Sequence, residues 1–187
     1  MEDKELKIIQ ACQGGELSQF SYLYDTYVDK IYQFIYYRVQ HKETAEDLTS
    51  RVFMKSIDKI KSFQVDKGSF SSWLYKIARN TVIDHYRTKK ADIDITNIWD
   101  LASGEDVARD IDVKDKLSQV DKYLEDLKPE QREILIMRVW QGMSHKEIAN
   151  VLGESEASCK MVFSRTINKL REEMPLALFL AILLNKF

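Results

Sequence analysis

The sequence is poor in residues that interrupt regular structure: its 187 residues include six glycines and two prolines. Domains built from many short strands need more of these turn-forming residues, so the shortage argues against them. Lys, Glu, Leu, Ile and Gln, which favour helices, supply much of the chain. The composition therefore predicts an all-α fold.

Long apolar runs are also missing. No stretch reaches the 18 or more apolar residues that a membrane-spanning helix requires. The N-terminal sequence MEDKELKIIQ also lacks the apolar core of a secretory signal. We therefore expect a cytoplasmic protein with no transmembrane segment.

Motifs for metal binding and catalysis are absent too. The two cysteines, Cys12 and Cys159, form no C-x-x-C pair, and the three histidines lack metal-ligand spacing. None of the patterns G-x-x-x-x-G-K-[ST], G-x-S-x-G or H-E-x-x-H occurs. We expect no metal, no cofactor, no small-molecule substrate and no enzymatic activity, and a reducing cytoplasm argues against a structural disulfide.

The balanced total of 28 basic and 30 acidic residues conceals three segments of different charge. Residues 1–90 carry 15 basic and 12 acidic side chains, residues 91–115 carry 2 and 8, and residues 116–187 carry 11 and 10. The acidic segment 91–115 breaks the helical period, which predicts a linker between two helical domains, 1–90 and 116–173. It either imitates the charge of nucleic acid in a binding channel or simply keeps two folded units apart.

Apolar residues recur at helical spacing in the first domain. A tyrosine-rich segment over roughly 17–39 is predicted to be a helix whose rings pack, rather than a stacking platform for bases. Two further helices follow, separated by the loop VDKG at 65–68, and Ser69 is a plausible N-cap for the second. Their apolar stripes comprise Leu48, Val52, Phe53, Ser56, Ile57 and Ile60, and then Phe70, Trp73, Leu74, Ile77, Ala78, Thr81 and Val82.

The end of the last of these helices, KIARNTVIDHYRTKK, is basic. Its side chains could supply phosphate partners and an amide for a base edge, close to the aromatic ring of Trp73. The alternative is a solvated face that stabilises the helix dipole. The candidate DNA contacts here are Lys76, Arg79, Asn80, Arg87, Lys89 and Lys90.

The second domain contains a helix-turn-helix pattern. Pro129 marks a helix start and Gly142 its end, Ser144 with Glu147 forms a capping box, and Ser155 can cap the next helix. In this motif the second helix enters the major groove, although short helical hairpins share the pattern. The candidates are Glu156, Ser158 and Lys160 near base edges, and Arg165, Lys169 and Arg171 near phosphates.

Four stretches together resemble a known family. L-x-x-L-x-P-E-Q-R-E-I-L from Leu124 and G-M-S-H-K-E-I-A-N-V-L-G from Gly142 are similar to region four of bacterial RNA polymerase sigma factors. A-E-D-L-T-x-x-V-F-M-K from Ala45 and F-x-x-W-L-Y-K-I-A-R-N-x-x-I-D-x-Y-R from Phe70 are similar to region two. The resemblance covers roughly 17–90 and 116–173, and two regions with a short linker resemble the extracytoplasmic-function (ECF) group of the sigma-70 family.

The resemblance implies a transcription initiation factor that binds core RNA polymerase and promoter DNA. It implies a region-two helical bundle whose core-polymerase-binding residues are Asp47, Leu48, Ser50, Arg51 and Phe53. The helix from Phe70 would bind the −10 element as a single strand, with the loop from Phe63 to Gly68 holding an extruded base, and region four would read the −35 element as duplex. The linker would lie along the RNA exit path, and an anti-sigma factor is an expected partner. A stand-alone helix-turn-helix regulator is the alternative.

Some positions depart from the family pattern. Ser50 and Arg51 replace the usual Gln-Glu pair, which predicts docking on the polymerase that is either weaker or differently paired. Met161, Val162, Ser164 and Ile167 replace polar or basic residues of the recognition helix, which predicts a shallower salt dependence of DNA binding. Cys159 occupies a small apolar position, which favours a buried thiol over a redox switch.

The apolar C-terminal tail, 174–187, is not explained by the resemblance. Its nine consecutive apolar residues from Leu176 would form a helix only ~14 Å long, too short to cross a bilayer. We expect it to fold onto the second domain around Val162 and Ile167. A partner surface and a peripheral membrane contact are the alternatives.

Overall fold

A computed structural model describes residues 3–39, 41–89, 123–124, 126–176 and 179 of the chain. The chain divides into two compact units, Met1–Ile93 and Asp94–Phe187. The acidic segment 91–115, Lys90 and most of the tail lie outside the described residues. All regular elements within the described ranges are helical, in agreement with the predicted all-α fold.

The first unit contains four described α-helices. They are α1 (Asp3–Gln13), α2 (Phe20–Val39), α3 (Lys42–Lys59) and α4 (Phe70–Lys89). Short 3₁₀ turns at Leu17–Gln19, Ile60–Ser62 and Val65–Lys67 connect them. The sequence patterns predicted α2, α3 and α4, whereas α1 was not predicted.

The core of the first unit forms where α2, α3 and α4 pack against one another, with α1 against α2. Phe34 of α2 meets Tyr75 of α4 edge to face, with ring centroids 4.9 Å apart, and both rings are buried. Burying each large apolar side chain contributes about 1.5–3 kcal/mol to folding. Further fully buried residues are Ile9, Leu23, Ile31, Ile35, Leu48, Val52, Phe70, Leu74 and Ala78.

Local caps fix where the helices of the first unit begin. Ser69 Oγ accepts a hydrogen bond of 3.2 Å from the backbone N–H of Ser72, which confirms the predicted cap of α4. His41 Nδ1 accepts from the N–H of Thr44 at 3.3 Å, at the start of α3. The beginning of α4 is therefore set by its own sequence.

The second unit contains α5 (Pro129–Val139), α6 (His145–Leu152) and α7 (Glu156–Glu173). Pro129 is the first residue of α5 as predicted, and Gly142 in the turn after α5 has a φ of 64°. Ser144 and Glu147 form the predicted capping box of α6: Ser144 Oγ accepts from the N–H of Glu147 at 3.2 Å, and Glu147 Oε2 accepts from the N–H of Ser144 at 2.9 Å. The sequence therefore predicted these helix starts correctly.

One apolar cluster of the second unit includes part of the tail. Phe179 is 7% exposed and packs in a cluster that also contains Leu124, Leu127, Leu135, Leu170 and Met174. Ile167 packs against the same cluster. The expectation that the tail folds onto the second domain is thus confirmed for Phe179 at Ile167, whereas Val162, the other residue expected at this contact, is not part of the cluster. Residues 177–178 and 180–187 lie outside the described residues.

Candidate nucleic-acid interface

Helix α3 presents a largely polar face to solvent. Asp47, Ser50 and Arg51 are exposed, and Asp47 Oδ2 lies 2.7 Å from Arg51 Nη2 across one turn. Ser50 Oγ donates to the carbonyl oxygen of Glu46 at 3.0 Å. An exposed ion pair adds at most about 1 kcal/mol to stability, so this pair costs little to rearrange when a partner binds.

Two residues predicted to contact the polymerase are not on this face. Leu48 is 0% exposed and Phe53 is 3% exposed. The ring of Phe53 packs against the rings of Phe20 and Tyr24, with ring centroids 6.5 and 4.8 Å apart. A side chain that is buried in the free chain offers no surface there for direct docking, so the polymerase contact of these two residues stays a prediction. Their physical role is to hold α3 in place.

An exposed methionine on α3 was missed by the sequence analysis. Met54 is 61% exposed and follows Ser50 and Arg51 by four and three residues, which places it on the same face. The family motif contained this residue, but a periodic pattern does not separate an exposed apolar residue from a buried one. The exposed face of α3 therefore combines Asp47, Ser50, Arg51 and Met54.

Helix α4 brings its predicted nucleic-acid residues to one side. Lys76, Asn80 and Arg87 are exposed, and steps of about 100° per residue place all three within a narrow sector. Arg79 and Trp73 are half-buried at its two edges. Lys89 ends the helix, its side chain is outside the described atoms, and Lys90 lies outside the described residues.

The loop that precedes α4 is anchored at its base. Phe63 is buried against the rings of Phe70 and Trp73, with centroids 5.7 and 5.4 Å away. The following residues, Gln64 to Lys67, are exposed. Gln13 of α1 donates from Nε2 to the carbonyl oxygens of Ile60 and Phe63, at 3.0 and 2.8 Å. Sequence analysis did not predict this contact, which fixes the start of the exposed loop.

The predicted helix-turn-helix is formed by α6 and α7. Gly153 ends α6 in the left-handed conformation, with φ 78°, which a glycine adopts without strain. Ser155 Oγ accepts from the N–H of Ser158 at 3.1 Å and caps α7. Ile148 and Ala149 of α6 are buried as expected, so the pair packs through its apolar faces and leaves one side of α7 in solvent.

The candidate DNA contacts on α7 differ in how exposed their side chains are and in whether they already have a partner. Lys160, Arg165 and Arg171 are exposed, as is Glu156. Ser158 is half-buried, and Lys169 Nζ donates to the carbonyl oxygen of Asp126 at 3.0 Å, close to Glu173 at 3.9 Å. Lys169 is therefore engaged in fastening α7 to the preceding segment.

Ionisable groups at the start of α7 interact closely. Glu156 Oε1 lies 2.7 Å from Lys160 Nζ, and this hydrogen bond holds the pKa of the Glu156 carboxyl below its usual range. Burial, together with the nearby charges of Arg138 and Lys160, lowers the pKa of His145. Burial raises the pKa of the Cys159 thiol, which is 0% exposed, as expected for a structural rather than a reactive cysteine.

Within the described part of the chain, no cluster of three or more His, Cys, Asp or Glu side chains could hold a metal ion. None of the described helices has the length and apolar character to cross a bilayer. What the described residues do present is a helix-turn-helix in one unit and a basic helix face in the other. This combination defines a DNA-binding protein built from two helical units.

Comparison with known proteins identifies the family. Residues 23–91 match the family described as Sigma-70 region 2, and residues 117–170 match Sigma-70, region 4. The chain is 34% identical to the ECF RNA polymerase sigma factor BldN of Streptomyces coelicolor over 91% of its own length, and it spans 66% of that relative. It is 32% identical to the ECF sigma factor SigX of Bacillus subtilis, with 84% of each chain covered.

A solved structure is similar in fold as well. The sigma factor RpoE of Bartonella quintana, solved in complex with the anti-sigma factor NepR, superposes with a TM-score of 0.62 at 23% identity, covering 82% of this chain and 94% of that one. The chain belongs to the ECF group of the RNA polymerase sigma-70 family. It is a sigma factor that binds core RNA polymerase and directs transcription initiation at promoters.

Proposed function

We propose that three helix faces divide the work of this sigma factor: α3 docks on core RNA polymerase, α4 binds the −10 element as a single strand, and α7 reads the −35 element as duplex. The observation that carries the proposal is the alignment of Lys76, Asn80 and Arg87 on one exposed face of α4. The family places strand recognition in this region, and cations beside an amide and an aromatic ring suit it chemically.

The docking face of α3 comprises Asp47, Ser50, Arg51 and Met54, all of them exposed. The Asp47–Arg51 pair presents both signs of charge, so it can exchange its internal ion pair for complementary charges on the polymerase. Met54 supplies apolar area at the same place, and a flexible thioether adapts to an irregular surface. Leu48 and Phe53 support this face from beneath.

The −10 element meets α4 at Lys76, Arg79, Asn80 and Arg87, and Lys89 and Lys90 extend the basic sequence toward the linker. Extruding a base costs a few kcal/mol, which stacking and backbone contacts must offset. The loop from Phe63 to Gly68, held at its start by Gln13, receives that base. The −35 element meets α7 at Glu156, Lys160, Arg165 and Arg171.

The partners and setting follow from this role. We infer that an anti-sigma factor controls the protein, as NepR is bound by the fold neighbour from Bartonella quintana. Because bacterial RNA polymerase works on the chromosome, we place the protein in the cytoplasm. Its role is regulatory, and the catalytic steps of RNA synthesis belong to the polymerase rather than to this chain.

The experiment is initiation in vitro with bacterial core polymerase, the full chain and fragmented genomic DNA, with transcript 5′ ends mapped. Discrete starts that share upstream elements are expected, and permanganate should modify unpaired thymines at the −10 element. A protein that binds DNA but not core polymerase would instead be a stand-alone regulator, which contradicts the proposal.

Matched variants assign the faces. Arg51→Glu should weaken core binding, whereas Lys59→Glu, an equal charge reversal at the end of α3 and off its docking face, should not. Asn80→Ala should reduce permanganate reactivity at the −10 element, whereas Thr88→Ala on another side of α4 should leave it unchanged. Equal effects of the two members of a pair would contradict the assignment of that face.

A further inference from the structure

The centre of the exposed face of α7 is not charged. Ala157, Met161, Ser164 and Asn168 are all exposed and follow one another at spacings of four, three and four residues, which places them in one line along the helix. Met161 is 48% exposed, so its side chain is open to a binding partner. None of these four residues was selected by the sequence analysis as a DNA contact.

Cations flank this line on both sides. Lys160 and Arg171 lie at one edge, and Arg165 lies at the other. A helix that enters the major groove meets base edges along its centre and phosphates at its edges, so this arrangement suits the groove. The base-reading positions near the N-terminus of α7 are therefore Ala157 and Met161, with the Glu156–Lys160 ion pair beside them.

The major groove offers few groups to an apolar side chain. All four bases present hydrogen-bond donors or acceptors there, and thymine alone adds an apolar group, its C5-methyl. The methyl of alanine can form no hydrogen bond and the thioether of methionine is only a weak acceptor, but both side chains can bury the thymine methyl. Resting on the proposed role of α7 at the −35 element, we propose that Met161, with Ala157 beside it, selects thymine by contact with the C5-methyl group.

The geometry limits how far apart the selected bases lie. Ala157 and Met161 are four residues apart, so their Cα atoms are separated by about 6 Å along α7. Neighbouring base pairs are about 3.4 Å apart along the duplex, so the two side chains span at most about two base-pair steps. The −35 element should therefore contain one or two thymines within a stretch of about three base pairs, on either strand.

The experiment uses holoenzyme reconstituted from the full chain and bacterial core polymerase. Templates carry a promoter found in genomic DNA, with its −35 element randomised, and the sequences of the transcribed templates are counted. Thymine should be enriched at one or two neighbouring positions with the wild-type chain. Met161→Ala should reduce the enrichment at one of them, and Leu176→Ala, an exposed apolar residue of the second unit off α7, should not.

Replacing the selected thymine with deoxyuridine then removes the methyl group alone. Wild-type holoenzyme should bind that template about fourfold more weakly, which is the contribution of one buried methyl group. Holoenzyme with Met161→Ala should bind the deoxyuridine and thymine templates with nearly the same affinity. Initiation without thymine enrichment, or equal deoxyuridine sensitivity of the two chains, would overturn the inference alone. Failure of the wild-type chain to initiate on any template would overturn the proposed function and the inference with it.

Discussion

Gln13 Nε2 donates a hydrogen bond of 2.8 Å to the carbonyl oxygen of Phe63, fifty residues further along the chain. A second bond, of 3.0 Å, reaches the carbonyl oxygen of Ile60. Together they tie α1 to the turn from which the exposed loop at 64–67 departs. The N-terminal helix therefore acts on the loop proposed to hold an extruded base.

Replacing Gln13 with alanine should loosen this turn. The carbonyl oxygen of Phe63 loses the donor given by Gln13, and that of Ile60 keeps only the N–H of Phe63 at 3.1 Å, which costs about 1–3 kcal/mol in local stability. Amide hydrogen exchange in the segment 60–68 should become roughly 5- to 160-fold faster, while exchange in α6 and α7 stays unchanged. Gln10→Ala, an exposed position on α1, is the matched control and should leave the segment as protected as in the wild type. Unaltered exchange in the Gln13→Ala variant would show that the side chain does not anchor the loop.

Removing the cap of α6 should destabilise the helix-turn-helix. Ser144→Ala deletes the acceptor for the N–H of Glu147 and should cost about 1 kcal/mol of stability in the second unit, measured by urea unfolding. Ser144→Thr keeps both the acceptor and the hydroxyl that donates to Glu147 Oε2 at 2.8 Å, so it should restore most of the loss. Equal destabilisation by both substitutions would contradict the capping explanation.

Neutralising Glu156 should strengthen DNA binding. Glu156 holds the ammonium of Lys160 at 2.7 Å, so Glu156→Gln releases that ammonium to a phosphate and removes a negative charge from the groove. The slope of log affinity against log salt should become steeper by about one unit. Glu130→Gln removes the same charge from an exposed position on α5, so its slope should match the wild type. A Glu156→Gln slope no steeper than that control would mean that Lys160 gains no phosphate.

The stability of the second unit should depend on His145 at mildly acidic pH. The ring of His145 is partly buried, and its Nε2 atom has no hydrogen-bond partner among the described residues. Burial lowers the pKa of His145, and the positive charges of Arg138 and Lys160 lower it further, against a smaller opposing effect of Glu156. As the pH falls below about 6.5, His145 is protonated in the unfolded chain but still neutral in the folded unit. The folded state therefore loses stability between pH 6.5 and the lowered pKa of the folded unit, and His145 has no effect on stability above pH 7.

Hydrogen exchange in α6 and α7, followed from pH 7.5 to 5 and corrected for intrinsic rates, measures this loss. His145→Gln should remove the His145 component of the pH dependence, whereas His85→Gln in the first unit should not change exchange in α6. If His145→Gln left the pH dependence of exchange as it was, other groups would be responsible.

The tail residue Phe179 should contribute to folding of the second unit. It is 7% exposed in the cluster with Leu170 and Met174, so Phe179→Ala should cost about 3 kcal/mol in urea unfolding. Leu176→Ala removes a side chain that is 69% exposed and should change stability by less than about 0.5 kcal/mol. Similar losses from the two substitutions would argue against a packing role specific to Phe179.

Local signals account for what the sequence predicted well. The caps at Ser69, Ser144 and Ser155 and the helix start at Pro129 depend on residues within three positions of one another, so the sequence contains all the necessary information. Helix α1 was missed because its segment is largely polar. Its buried residues Ile8, Ile9 and Cys12 did carry a helical spacing that could have revealed it.

Tertiary packing decides the rest. Leu48 and Phe53 lie in the same motif as the exposed Asp47 and Met54, and no local pattern distinguishes which apolar residues the neighbouring helices cover. The bonds from Gln13 join residues about fifty positions apart, beyond the reach of any periodic pattern. The line of exposed residues on α7 became visible only when burial showed which side of the helix faces solvent.

The two fully buried cysteines give the molecule an intrinsic pair of reporters. Cys12 lies in the first unit and Cys159 in the second, and both are 0% exposed. A thiol reagent can reach either sulfur only when the surrounding unit opens, so the alkylation rate of each cysteine measures the opening of its own unit. Peptide-resolved alkylation of the native chain can therefore measure the opening rate of each unit separately, in the free protein or on the polymerase.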